Sequence, residues 1–239
     1  MQSHLFSICL ATSLVLFAAI GQARDARQVD TVIELYTSQG CSSCPPADQL
    51  MGTLTENTSV LGLSFSVTYW DYIGWKDTFA DPENDLRQTL YRDQMNERYV
   101  YTPQMIVGGI SHFVGSSSEQ LETHLKTLKG HARKINLSWR FIDGDIEIIL
   151  PQTSTGATLW QMDVDYRKKV DIGRGENSGR SVTYHNIVRN IDKLGEWDGS
   201  PTTLRLKLDD LQAKGRDACA LLVQEQNHGP IIGALMIDL

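Results

Sequence analysis

Apolar and polar positions alternate with two different periods along this chain, and the change of period divides it. Between residues 28 and 130, short strand-like runs take turns with helix-like ones. Residues 29–36 are apolar and β-branched between charged and turn-forming neighbours, and predict a strand. Residues 45–57 predict a helix. Pro45 and Pro46 suit its first turn, where a missing N–H loses no helical partner, and Ser42 or Ser43 is positioned as the N-cap. In residues 61–69, Leu63, Phe65, Val67 and Tyr69 alternate with small polar residues, the period of a second strand. An aromatic loop follows over 70–77. Residues 84–97 form a polar amphipathic helix with Leu86, Leu90 and Tyr91 on one face. Thr102-Pro103 leads into a strand over 104–107. Gly108-Gly109 has the composition of a two-residue hairpin turn into 110–113, and a helix closes the segment at 116–129.

Beyond residue 131 the period of two dominates. Ile135, Leu137, Trp139 and Phe141 alternate with polar residues, and Asp143-Gly144 turns the chain into 146–150. Residues 157–166, 181–189, 204–208, 219–224 and 231–237 are further strands. Short strands at regular spacing with turn signals predict a mainly antiparallel, sandwich-like β domain over 131–239.

Composition narrows the classes. The chain of 239 residues is 41% hydrophobic and 21% charged, enough apolar material for a packed globule. Its net charge is -7 and no block of Lys and Arg occurs, which disfavours nucleic acid and anionic lipid as partners. Residues 5–20 are apolar, and Gly21-Gln22-Ala23 places small residues where a signal peptidase reads, so residues 1–23 read as a secretory signal. The apolar run is short for a membrane span, and stable membrane insertion is not expected.

Removal of that signal leaves Cys41, Cys44 and Cys219 in an oxidising compartment, periplasmic or secreted. Cys219 lies in an apolar run and reads as a small core hydrophobe. Cys41 and Cys44 sit at the junction of strand and helix. A thiolate at Cys41 would lie near the positive end of the helix dipole, the setting of a redox-active pair. Zinc needs two further soft ligands at matching spacing, and none is present. Two alternatives stay open: copper held by both thiolates and a distant His, and a purely structural disulfide. So short a loop gains little from crosslinking, which favours a functional pair. No other cofactor is implied. Thr102-Pro103, at the entrance of a strand, has the position of a cis X-Pro bond that presents the backbone of Thr102 to an incoming chain.

The CxxC, the Thr-Pro and the order of elements together resemble the thioredoxin superfamily. More narrowly, the chain resembles a family of secreted bacterial proteins with a thioredoxin-like domain and no assigned function. The matching stretches are residues 34–48, 69–77, 101–105 and 173–177. The resemblance implies an α/β thioredoxin-like domain over 28–130. It implies thiol–disulfide exchange with protein or small-molecule thiols and disulfides, in which Cys41 attacks, Cys44 resolves, and Thr102 and Pro103 hold the substrate backbone. Thioredoxins also bury an acid on the strand before the motif. Glu34 is the nearest candidate for moving a proton to or from Cys44; an exposed strand-end Glu is the alternative. Ser42-Ser43 stands between the cysteines instead of Gly-Pro, so oxidant and reductant directions both stay open.

Trp70 and Asp71 belong to a loop that reads as either a wall for the substrate, with Lys76 helping to orient it, or a packed cap over the core. Gly173-Arg174-Gly175-Glu176-Asn177 lies between strands and opens no helix, so it is a turn or a contact between the two halves, not a phosphate loop. His185 reads as a strand surface residue. The competing function is a non-catalytic binding module with Cys41–Cys44 as a static bridge.

Overall fold

A computed structural model of the protein describes residues 25–131 and 134–239. The expected signal segment, 1–23, lies outside the described residues. The fold is mixed α/β, dominated by one large sheet. The elements are β1 Ala26–Gln28, β2 Thr31–Thr37, α1 Pro45–Leu54, β3 Val60–Ser66, α2 Pro82–Gln94, β4 Gln104–Val107, β5 Ser111–Val114 and α3 Ser118–His131. They continue with β6 Ser138–Ile142, β7 Asp145–Leu150, β8 Ala157–Asp171, β9 Ser181–Trp197, β10 Thr202–Lys207, α4 Leu208–Ala213, β11 Ala218–Glu225 and β12 Ile231–Asp238.

Nine strands share one sheet, in the order β1-β12-β11-β8-β9-β3-β2-β4-β5. β2 pairs parallel with β3, reached through the α1 crossover, and antiparallel with β4, which pairs antiparallel with β5. Strands from both sides of residue 131 belong to this sheet, because β9 joins β3 in parallel at Ser64↔Ile187. Helices cover both faces of the β2–β5 region. Ile33, Leu35, Met105 and Val107 pack with Ala47 and Met51 of α1 and Leu121 and Leu128 of α3. Val32, Tyr36, Leu61, Leu63 and Phe65 face the other way and pack with Tyr91 of α2. That double cover explains why all seven residues of β3 are buried. The remaining strands, β10-β7-β6, form a small sheet. Its Ile146, Ile148, Leu150 and Leu206 pack on Leu221, Val223, Leu235 and Ile237 of the large one. Among the described residues no helix is long and apolar enough to cross a membrane.

Several boundaries differ from expectation for local reasons. The N-cap of α1 is Cys44, not Ser42 or Ser43, whose side chains are exposed in the preceding turn. α2 starts earlier, at Pro82, because the Asp81 side chain caps it by accepting from Glu83 N–H. β8 and β9 are far longer than the apolar runs that mark them. β8 continues past residue 166 through Arg167-Lys168-Lys169, which pairs with His185, Tyr184 and Thr183. The reason is that one face of the hairpin end, Val182 and Tyr184, is buried against Trp75 and Phe79. Gly108 and Gly109 make the expected hairpin turn, with φ of 60° and 71°, the positive values a tight two-residue turn requires. Cys219 is free and buried in β11, and burial pushes its thiol up to about 12.

Candidate functional site: the Cys41–Cys44 disulfide and its cover

Cys41 and Cys44 are joined by a disulfide, with Cα atoms 5.4 Å apart. The turn between them closes by Cys44 N–H to Cys41 O (3.2 Å), and α1 begins as Ala47 and Asp48 donate to Cys44 O at 2.8 and 3.1 Å. Pro45 and Pro46 fill the first two helical positions. Two backbone donors that a helix start usually offers an anion are therefore missing. Ser43 Oγ lies 3.4 Å from Cys41 Sγ. Ser42 and Ser43 are exposed, whereas Cys41 and Cys44 are only 1% and 0% exposed.

Two segments cover the sulfurs. From the turn between β8 and β9, the buried Asn177 donates Nδ2–H bonds to Gln39 O (3.0 Å) and Cys41 O (2.8 Å). The same turn lies so close under Trp75 that a Cβ on Gly173 would come within 3.3 Å of its ring. The second cover is the aromatic loop, which contains a single 3-10 turn at Asp71–Ile73. Gly40 fits against it tightly: a Cβ there would lie 3.0 Å from Ile73 and 3.1 Å from Trp70. Gln39 ties the loop down. Its N–H donates to Asp77 Oδ2 (2.8 Å), and its Oε1 accepts from Trp75 Nε1 (2.8 Å). Asp71 holds its own loop by accepting from Asp77 N–H at 3.0 Å.

Trp70 reaches in the other direction, donating Nε1–H to Thr102 Oγ1 at 2.7 Å. The Thr102–Pro103 peptide is cis. The β2–β4 register, Tyr36↔Gln104, continued by one residue, sets Pro103 opposite Thr37 at the end of the strand that leads to Cys41. Thr102 and Trp70 thus share one edge with the disulfide turn.

Removing the Asn177 latch tests how the cover works. Asn177→Ala deletes both hydrogen bonds to the disulfide turn. The loss of about 1–2 kcal/mol from the closed state would raise the opened population about 5- to 30-fold. Reduction by dithiothreitol, followed by thiol alkylation and mass shift, is expected to speed up by that factor, with the melting temperature lowered by roughly 2–8 °C.

The buried acids are placed unlike the sequence expectation. Glu34 shares its face of β2 with Val32 and Tyr36, towards α2, while α1 packs on the opposite face. Its carboxylate takes Arg87 Nη2 and Nε at 2.7 and 3.0 Å, Tyr91 OH at 2.9 Å and Tyr36 OH at 3.0 Å. Arg87 also donates to Gln224 Oε1 of β11 (3.1 Å). Glu34 is neither exposed nor on the side of Cys44; it is locked in an ion pair.

A different acid stands beside the cysteines. Asp48 lies one helical turn after Cys44, the spacing at which two helical residues share a face, and its N–H donates to Cys44 O at 3.1 Å. It is 2% exposed; Oδ1 accepts from Thr37 Oγ1 (2.8 Å) and Oδ2 has no partner. Burial, reinforced by the nearby Asp77, raises its pKa to about 8 against the opposing Thr37 bond. Asp77 is raised by burial to about 6, held back by the N–H groups of Gln39 and Phe79. The Tyr184 hydroxyl, also raised by burial, faces both acids. The i, i+4 spacing from Cys44 was the available signal for Asp48. His185 packs on α1, where the bare Gly52 leaves room: a Cβ there would lie 2.9 Å from its Nε2. Burial and the Arg167 charge lower its pKa.

Comparison with known proteins follows from this geometry. The chain is similar to a crystal structure of a protein from Agrobacterium tumefaciens, with 32% identity, 89% of this chain and 95% of that one covered, and a TM-score of 0.77. It is also similar to the HBP35 protein of Porphyromonas gingivalis, at 14% identity, 89% and 76% coverage and a TM-score of 0.57, a likeness that bears on the fold alone. No curated protein matches it. Residues 32–224 match the family described as proteins of unknown function (DUF1223), and the chain belongs to that family.

Proposed function

We propose that the protein carries out thiol–disulfide exchange through Cys41 and Cys44 in an exported compartment, on a thioredoxin-like α/β unit. The observation that carries this reading is a disulfide at the start of α1 with a buried carboxyl, its pKa raised by that burial, one turn further on. The order β5-β4-β2-β3, with α1 and α3 on one face and α2 on the other, supports the thioredoxin-like part.

A partner thiolate attacks Cys41 Sγ, and the Cys41–Cys44 bond breaks. Cys44 leaves as a thiolate and takes the proton held by Asp48. The partner's second thiolate then attacks its own sulfur in the mixed disulfide. That forms the partner's disulfide and releases Cys41 as a thiolate, which water protonates. The reverse sequence reduces a partner disulfide. With donors missing at Pro45 and Pro46, the Cys41 thiolate is weakly stabilised, which favours the oxidised pair. The expected reduction potential is therefore nearer about -270 mV than about -120 mV, the reductant end of known couples. Equilibration against dithiothreitol couples, read by alkylation and mass, measures it. A potential near the oxidant end would overturn the assignment of direction.

Asp48→Asn removes the proton donor. Exchange is expected to slow on the order of tenfold to hundredfold below pH 8, with no difference well above it, where Asp48 has already lost its proton. Stability gives an independent readout. The folded-state pKa values of Asp48 (about 8) and Asp77 (about 6) lie above the unfolded value near 3.8, so the folded state binds more protons. Histidines lowered by burial, His228 above all, act in the opposite sense below about 6.5, so the melting temperature should fall as pH rises from about 6.5 to 8, and Asp48→Asn should flatten that fall.

The burial of both sulfurs favours a second reading, a binding module with a static bridge. Exchange requires the Asn177 turn to lift. A disulfide that stays inert to dithiols at rates matching global unfolding would establish the static bridge instead.

A further inference from the structure

The hairpin that covers the disulfide carries a charge opposite to the rest of the molecule. Between residues 166 and 185 it holds five cations against two carboxylates, in a chain whose 22 Lys and Arg are outnumbered by 29 Asp and Glu. Arg167, Lys168, Lys169, Arg174 and Arg180 are all exposed. None of the five makes an ion pair among the described residues.

Register decides which of them act together. Residues directly opposite on paired strands share a face. Arg167 stands opposite His185, and Lys169 opposite Thr183. His185 and Thr183 line an open groove of about 420 Å³ between β9 and α1, which ends at Pro45, the residue after Cys44. Arg167 and Lys169 thus edge a groove that leads to the disulfide. Gln49, Thr53 and Ser181 supply polar walls, and the acids nearby are Glu56 at the far end of α1 and Asp171 opposite Ser181. The volume is that of a ligand site, not of an extended interface.

We infer that this groove and its basic rim dock a short acidic polypeptide segment of the exchange partner, beside the disulfide. Charge complementarity selects the occupant. A long polyanion or an anionic membrane would also meet the surrounding acidic surface, which repels it, whereas a short acidic segment meets only the hairpin. The inference rests on the exchange reading for the partner's identity, but docking can be measured without chemistry.

The probe is a fluorescein-labelled ten-residue peptide with four Glu and no Cys, with a Lys counterpart as control, followed by anisotropy with the full chain. The acidic peptide is expected to bind and the basic one not to, and binding should weaken as salt rises. Arg167→Glu/Lys169→Glu should weaken it about tenfold or more, while reduction of the disulfide by neutral dithiothreitol stays at the wild-type rate. Equal binding of both peptides, indifference to the charge reversal, or preference for phosphatidylglycerol vesicles over the peptide would overturn the inference. If the acidic peptide binds as expected but no dithiol exchanges with the protein, the docking stands and the exchange reading falls.

Discussion

Cys41→Ser is expected to abolish exchange, whereas Cys44→Ser is expected to trap a mixed disulfide when its Cys41 thiolate attacks a partner that carries a disulfide. The asymmetry comes from position. Cys44 is the helix N-cap, fully buried, with the buried Asp48 one helical turn on, which suits the sulfur that leaves and is reprotonated. Cys41 lies in the turn that Asn177 bonds and that packs against Ile73 and Trp70, so it is the sulfur expected to be exposed when that cover lifts. Insulin reduction driven by dithiothreitol measures the first variant. Its activity should drop to background, roughly a hundredfold or more below wild type, because the thiol that remains, Cys44, is fully buried and has lost its redox mate. Non-reducing electrophoresis with a peptide that carries a disulfide reads the second. The stability cost of either variant is small, about 2 kcal/mol by the entropy of so short a loop. Loss of activity would therefore not come from unfolding. Wild-type protein no more active than Cys41→Ser would establish the static bridge.

Arg87→Ala should be among the most destabilising single changes in the molecule. The substitution leaves the Glu34 carboxylate buried at 1% exposure with only tyrosine hydroxyls as partners. It also removes a guanidinium that lies over three rings, 5.2 to 5.9 Å from the centroids of Tyr91, Trp160 and Phe65. An uncompensated buried charge costs about 3–5 kcal/mol. For a chain of this size that lowers the melting temperature by roughly 6–20 °C. The paired change Glu34→Leu/Arg87→Met should recover much of the loss, because it removes both charges together. Thermal unfolding of the three variants tests this, and a single-variant loss under about 1 kcal/mol would contradict the ion pair's role. Glu34→Gln should leave the pH dependence of disulfide reduction unchanged, which separates its structural part from the proton-handling part of Asp48.

Local signals made most of the first half legible. The CxxC, the proline-led helix, the Gly108-Gly109 turn and the Thr102-Pro103 step are each carried by a few adjacent residues, and the structure places each at the expected element boundary or turn. What was not legible depends on distant partners. The joining of β9 to β3 rests on contacts such as Ser64 Oγ to His185 O and Asn186 Nδ2 to Gly62 O, both 2.8 Å and more than a hundred residues apart. No periodicity encodes that choice. Glu34 illustrates the limit well: alternation gave its face correctly, but only the fold shows that α2, not α1, covers that face. Asp48 was hidden because an acid in the first turn of a helix is ordinarily an exposed dipole partner. Here β2 lies close enough for Thr37 to bond it, and it is buried.

The shared sheet also imposes a schedule on folding. When the first half of the chain leaves the ribosome, β3 has no neighbour on one side, and its free N–H and C=O groups form a sticky margin until β9 arrives. β1 waits longer still, since its mate, β12, follows every other strand among the described residues. Until then that margin is open to pairing with the wrong strand. A fragment stopped short of β9 would be left with that margin open, and with the sulfurs of Cys41 and Cys44 stripped of their roof.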